Sequence, residues 1–315
     1  MSAADLTAAV ETTLRRCLAV QPGEDVLIVA DAAKADIGQA LRDEAERMGA
    51  DATLALTTAR PVNGEEPAPS VAAAMAACDV FVAPTSWSIS HTRARKAATD
   101  AGARGATMPT VTRDMLARLM AADFDRMGRR SRAIADLLTA AETAHVTCPR
   151  GTDLRLDLSG RTAIADDGDL TRKGAFGNLP CGEGFVAPLG GEGTVVASSL
   201  AAIGLADPPA VLTVEGGALT MAEGPEGARL LAMLRGAGER GTNLAELGVG
   251  TNERAGLTGV ILEDEKMLGT VHVAFGASAA IGGTVAVPVH LDVLVTDATL
   301  TIGDTPVLDA GRMLL

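Results

Sequence analysis

The 315-residue chain has no tyrosine, one tryptophan and five phenylalanines, so aromatics make up 2% of it. No phenol is available as an acid, a hydrogen-bond donor or a nucleophile, and a flat ligand has few rings to stack on. Basic residues are in deficit, 27 against 40 acidic ones, for a net charge of −13. That balance repels a phosphate backbone or an anionic membrane surface, so neither nucleic acid nor membrane is an expected partner. No apolar run approaches the ~20 residues of a bilayer span. Met1-Ser2-Ala3-Ala4-Asp5 lacks the basic start and apolar block of a secretory signal, which points to a soluble, cytoplasmic protein. The four cysteines, Cys17, Cys78, Cys148 and Cys181, form no CxxC pair, and reduced thiols are the expectation.

What the chain does have is alternation, over a length that predicts two domains. Leu6, Val10, Leu14 and Leu18 recur every four residues and predict one apolar helical face, ended by Pro22-Gly23. Val26-Leu27-Ile28-Val29 reads as a buried strand. Ile37, Leu41, Ala45 and Met48 form a second helical stripe closed by Gly49, and 52–56 is the next strand. Strand 79–83, helix 91–102 and strand 106–108 continue the pattern, which predicts a parallel sheet covered by helices. Residues 112–144 read as almost wholly helical. Beyond them the period drops to two: Leu154, Leu156 and Leu158 alternate with Arg155 and Asp157, glycine turns follow at short intervals, and one helix falls near 225–235. The expected fold class is α/β, with a doubly wound parallel-sheet domain over 1–140 and a β-rich α+β metal-binding domain over 141–315. Gly236-Ala237-Gly238-Glu239-Arg240-Gly241 matches GxGxxG but follows a helix, so it reads as a loop.

Two strands of the second half are two-faced. In 270–275, Val271, Val273 and Phe275 share one face and His272 projects from the other. In 289–293, Val289, Leu291 and Val293 face the core, leaving His290 and Asp292 opposite. A His-x-Asp on a strand sets its side chains roughly 6 to 7 Å apart, within reach of one metal ion or two adjacent ones. Either histidine alone reads as a strand-surface residue; together they favour a site. Glu183 and Glu246 lie in glycine-bounded apolar segments, where a carboxylate must be exposed at a turn or meet a cation. Taken singly, each reads better as exposed. The run Glu263-Asp264-Glu265-Lys266 reads as a solvated turn, with Asp264 and Glu265 as candidates for orienting a histidine or moving a proton. Ser90 reads as a helix cap with His91 in the first turn. Ligands also bind at the carboxyl ends of parallel strands, which keeps Ser86, Ser90 and His91 as candidates. Cys181 reads as a small buried filler and His145 as structural.

Four blocks taken together carry a resemblance: Asn-Leu-Pro-x-Gly-Glu (178–183), Ala-Glu-Leu-Gly-x-Gly-Thr-Asn (245–252), Leu-Glu-Asp-Glu-Lys-x-Leu-Gly-Thr-Val-His-Val-Ala-Phe-Gly (262–276) and His-Leu-Asp (290–292). They resemble the aminopeptidase T family of metallopeptidases, often labelled leucyl aminopeptidases. The resemblance implies a two-metal site with Glu183, Glu246, His272, His290 and Asp292 as ligands, suited to Zn, Co or Mn. It further implies a metallo-hydrolase and a homodimer: metal-activated water attacks an amide of a short peptide or small amino-acid-like molecule. Glu183, His91 and Glu265 are the catalytic candidates. The peptidases of that family resemble one another in using a tyrosine after the histidine strand, and here residues 277–283 contain none. The same resemblance extends to a ring-cleaving branch, the 2,5-dihydroxypyridine dioxygenase-like proteins, whose scaffold holds one Fe(II). His272, His290 and Asp292 would meet that ligand demand, although scarce aromatics weigh against a flat heterocycle. Hydrolysis is the first expectation, ring cleavage the second, and a non-catalytic metal-binding relative the third.

Overall fold

The computed structural model describes residues 3–315. It divides into two compact units, one made of residues up to 122 together with 168–181, the other of 123–167 with 182–315. The first unit begins with α1 (Ala3–Glu11), then β1 (Asp25–Asp31), α2 (Ala35–Arg47), β2 (Asp51–Thr57), α3 (Pro69–Ala77), β3 (Val80–Thr85), α4 (Arg93–Asp100), β4 (Arg104–Pro109) and α5 (Arg113–Leu119). Its strands pair in parallel in the order β2-β1-β3-β4. The chain reverses its direction of travel across the sheet between β1 and β3. Right-handed crossovers then put the helices on opposite faces, and α1 packs with α2 and α5 while α3 packs with α4. Every residue of β3 is buried, as a strand covered on both faces demands. Helix α3 has no counterpart in the apolar pattern, because only Val71 and Met75 of its nine residues are buried.

The span 112–144, expected to be almost wholly helical, is two helices with a break between them. Asp123 accepts a hydrogen bond from the Arg126 amide and caps a new helix, α6 (Phe124–Ala140), after which β5 (Thr143–Thr147) is a strand. Ile134 and Leu138 of α6 belong to the core of the second unit. The division expected at 140/141 therefore differs from the structural one, which precedes α6. The chain continues through β6 (Asp153–Asp157) and β7 (Ile164–Asp166), then returns to the first sheet as β8 (Phe176–Asn178), a fifth parallel strand beside β4. Phe176 anchors that return: its ring stacks on Phe81 at 6.3 Å and carries the Arg95 guanidinium at 4.2 Å.

The rest of the second unit comprises β9 (Glu183–Val186), β10 (Gly190–Leu200), β11 (Gly204–Glu215), β12 (Ala218–Glu223), α7 (Pro225–Gly236), β13 (Leu244–Gly250), α8 (Ile261–Asp264), β14 (Val271–Gly276), β15 (His290–Val295), β16 (Thr299–Ile302), β17 (Thr305–Asp309) and β18 (Arg312–Met313). With β5, β6 and β7 these strands make one 13-stranded antiparallel sheet, ordered β18-β17-β16-β5-β6-β10-β15-β14-β13-β9-β7, with β11 and β12 branching from β10. Leu154, Leu156 and Leu158 enter its core as their alternation predicts, beside Val271, Val273, Phe275, Leu291 and Val293. None of the four cysteines is in a disulfide. Among the described residues no helix is long and apolar enough to cross a membrane.

Candidate metal centre

Four adjacent strands, β9, β13, β14 and β15, carry polar side chains on one face. Residues directly opposite one another in antiparallel strands share a face. His272 pairs with Gly248, Ala274 with Glu246 and with Asp292, Gly276 with His290, and Gly250 with Glu183. Glu183, Glu246, His272, His290 and Asp292 therefore emerge together, opposite the apolar set of Val271, Val273, Leu291 and Val293.

Glu246 reaches this face through a β-bulge. Between Leu244 and Glu246 the pairing slips, so two residues of β13 face one of β14. Strict alternation would put Glu246 with Leu244 in the core; the extra residue, Ala245, turns it to the polar side, while Leu244, Leu247 and Val249 stay buried in the core.

The resulting contacts are short. His272 Nε2 lies 3.2 Å from Glu183 Oε2 and 3.3 Å from Glu246 Oε1. His290 Nε2 lies 3.2 Å from Glu246 Oε2 and 3.5 Å from Asp292 Oδ1. Donor atoms of Glu183, Glu246 and His272, and again of Glu246, His290 and Asp292, all fall within 4.8 Å of one another. His290 Nδ1 is 2.7 Å from the Ala277 carbonyl and donates to it, which leaves Nε2 aimed at two carboxylates. Such a tautomer lock on the far nitrogen is how metal-binding imidazoles are oriented. Glu183 Oε2 and His272 Nδ1 are buried without a hydrogen-bond partner. These two groups of donors could hold a metal ion, and imidazole with carboxylate suits a divalent first-row metal.

The carboxylates also favour the protonated imidazoles. Burial disfavours the His272 imidazolium, but Glu246, Glu183 and Glu265 outweigh it and raise its pKa to about 9. His290 is likewise raised against burial, by Asp292 and Glu246. The two imidazoles hold the Glu246 carboxyl well below its ordinary range despite its burial.

The run 263–266 departs most from its reading as a solvated turn: Glu263, Asp264, Glu265 and Lys266 are all buried. Each has a partner. Glu263 accepts from the Gly256 amide, and Asp264 accepts from Ser199 Oγ at 2.7 Å and from the amides of Thr258 and Gly259. Asp264 thus organises a loop and orients no histidine. Lys266 is 1% exposed, with Nζ 2.5 Å from Glu183 Oε1, 2.8 Å from Glu265 Oε1 and 3.7 Å from Asp166 Oδ2. Its carbonyl accepts from the Asn252 amide, and the neighbouring Thr251 amide donates to the Gly182 carbonyl, so the backbone sets Lys266 beside Glu183. These carboxylates keep Lys266 charged against its burial. Burial pushes Asp166 and Glu265 up to about 8. Sequence reasoning missed Lys266 and Asp166 as members of the cluster. The only signal was a lysine two residues ahead of Leu268-Gly269-Thr270-Val271-His272.

Glu183 and Glu246, each read singly as exposed at a turn, are buried. His91 belongs to the first unit, on an exposed turn before α4, and is not one of the cluster's side chains. Thr92, not Ser90, caps α4. Ser90 is instead buried in a hydroxyl chain with Ser88, Thr107 and Asn178, and Ser86 bonds to Asp31. His145 lies on β5 and pairs with Asp153 of β6 at 2.7 Å.

A parallel-sheet unit is followed by an antiparallel unit bearing histidines and carboxylates that could hold a metal ion. The family model described as NicX, 2,5-dihydroxypyridine 5,6-dioxygenase, matches residues 5–315, and the chain belongs to that family. Among solved structures, the 2,5-dihydroxypyridine dioxygenase from Pseudomonas putida KT2440 is similar in fold, with a TM-score of 0.84 at 20% identity, covering 100% of this chain and 98% of that one. Wild-type AmpT from Thermus thermophilus has a TM-score of 0.72 at 20% identity, covering 99% of each chain. No curated protein matches the sequence.

Proposed function

We propose that the second unit binds a divalent metal through His272, His290, Asp292 and Glu246, and that the chain is an Fe(II)-dependent ring-cleavage dioxygenase acting on a dihydroxylated pyridine or a close analogue. The observation that carries this reading is the pairing of two imidazoles with Asp292 and Glu246 on one sheet face, with the Ala277 carbonyl turning His290 Nε2 toward those carboxylates. Two imidazoles and a carboxylate are the donor set of non-haem iron oxygenases. Iron held there would supply the one-electron chemistry that dioxygen requires. Family membership supports the same reaction, and the lack of any tyrosine removes one donor that a hydrolytic oxyanion would use.

The chain's own residues supply orientation and a proton. The Ala277 carbonyl fixes the His290 tautomer. Glu265, whose carboxyl is pushed up to about 8 by burial and whose Oε1 lies 2.8 Å from Lys266 Nζ, is the proton-transfer candidate beside the cluster. Glu183 shares the same ammonium, its Oε1 lying 2.5 Å from Lys266 Nζ.

Hydrolysis of an aminoacyl amide is the second reading, favoured by Glu246, which is common to both ligand groups as a bridging carboxylate of a two-ion hydrolase would be. The test is reconstitution under anaerobic conditions with Fe(II), followed by oxygen uptake with 2,5-dihydroxypyridine and, separately, Zn, Co or Mn loading with a leucine anilide. Oxygen uptake matched to loss of the pyridine absorbance is expected. Release of the amine with no oxygen uptake would overturn the first reading in favour of the second.

A further inference from the structure

The five expected ligands are not in equivalent surroundings. Glu246, His290 and Asp292 face one another, and the positive charge among them is the proton of the His290 imidazole. Glu183, at the other end of the cluster, already has a cation: Lys266 Nζ stands among Glu183, Glu265 and Asp166, buried, with a carboxylate oxygen at 2.5 Å, another at 2.8 Å and a third at 3.7 Å. Three carboxylates around one point, two in hydrogen-bond contact, are the surroundings that a hard divalent ion would take. Here an ammonium takes them instead.

We infer that Lys266 is a built-in cation occupying the place of a second metal ion, so that the centre binds one exchangeable ion, and that its removal uncovers a latent second metal site formed by Asp166, Glu183 and Glu265. This rests on the metal-centre reading above and deepens it. A lysine on a flexible stem does not hold its charge there by accident of packing: the Lys266 carbonyl is bonded to the Asn252 amide, which fixes where the side chain starts, and Asp166 comes from the far edge strand β7 to close the group. A second divalent ion would have to share Glu183 with the ammonium at contact distance, and like charges at that range in a buried site repel strongly. Lys266 is a positioning residue: it holds Glu183 and sets how many ions the chain takes, without being a ligand itself.

The experiment counts ions. Metal-free full-length protein is titrated anaerobically with Mn(II), and bound metal is measured by mass spectrometry after gel filtration, with electron paramagnetic resonance on the same samples. Wild type is expected to bind one Mn(II) per chain with the signal of an isolated ion, and Lys266→Arg the same. Lys266→Met is expected to bind two, with a spin-coupled signal. Lys266→Gln, which keeps a hydrogen-bond donor on the carboxylates, serves if the methionine variant does not fold. Two ions in wild type, or one in either folded neutral variant, would overturn the inference while leaving a metal centre in place. No ion in wild type, with both imidazoles intact, would instead sink the metal-centre reading itself.

Discussion

A methyl group on Gly248 would lie 2.0 Å from Nε2 of His272 and 2.3 Å from its Cε1. The imidazole edge therefore rests on bare backbone, and the residue facing it across the strand pair has to be glycine for the ring to reach Glu183 and Glu246. Gly248 does not adopt a left-handed conformation, so alanine is tolerated by the backbone and is felt by the ring alone. Gly248→Ala should fold and lose roughly 10- to 100-fold in metal affinity, the range found when the support of a ligand is disturbed. Isothermal titration with Fe(II) or Zn(II) checks this, and an unchanged affinity would remove His272 from the ligand set.

His290→Ala should abolish stoichiometric metal binding while leaving the fold, because the imidazole stands on the polar face of β15 and adds little to the apolar core. His145→Ala is the control. Its pairing with Asp153 is on the exposed side of β5 and β6, so metal content and melting temperature should both stay at wild-type values. Metal analysis and circular dichroism on the two variants side by side separate a ligand from a surface histidine.

Much of this was legible in the chain. The βαβ alternation and the strand face shared by His272, His290 and Asp292 follow from side-chain period alone, and the structure keeps both. The bulge at Ala245 was not legible, since an inserted residue leaves no mark on a segment as apolar as Leu244-Ala245-Glu246-Leu247. The run 263–266 misled for a related reason: four consecutive charges read as solvated unless each partner is known, and the partners, Gly256, Ser199, Thr258, Gly259, Glu183 and Asp166, come from four other segments of the chain. The return of β8 to the first sheet was equally hidden, since a three-residue strand has no period to detect.

Asp264 shows how strongly such a buried charge can matter without touching the ligand cluster. Its carboxylate accepts from Ser199 Oγ, from the amides of Thr258 and Gly259, and from Thr258 Oγ1. Asp264→Ala leaves these donors unpaired in a partly buried loop and should cost roughly 3 kcal/mol of unfolding free energy, at 1 to 3 kcal/mol for each donor that water does not reach. Urea denaturation measures it. A loss within 0.5 kcal/mol of wild type would mean that the loop reopens to water.

Proton and metal compete for the same nitrogen atoms, and this fixes a sign for pH. In metal-free protein the His272 pKa is raised from 6.5 to about 9, so the folded state holds its proton more tightly than the unfolded chain does. The stability this contributes is complete below pH 6.5 and is lost as pH rises through about 9. Glu265 and Asp166, pushed up to about 8 by burial, act in the same direction over that window, because they too bind protons more tightly when folded. Metal-free protein should therefore become steadily less stable between pH 6.5 and 9. Metal-loaded protein, whose imidazoles have exchanged protons for the ion, should show a flatter profile. At pH 7 uptake of the ion should release protons, seen as a binding enthalpy that changes with the ionisation enthalpy of the buffer. A metal-free stability that rises across this window would contradict the close pairing of His272 with Glu183 and Glu246 on which the candidate centre is built.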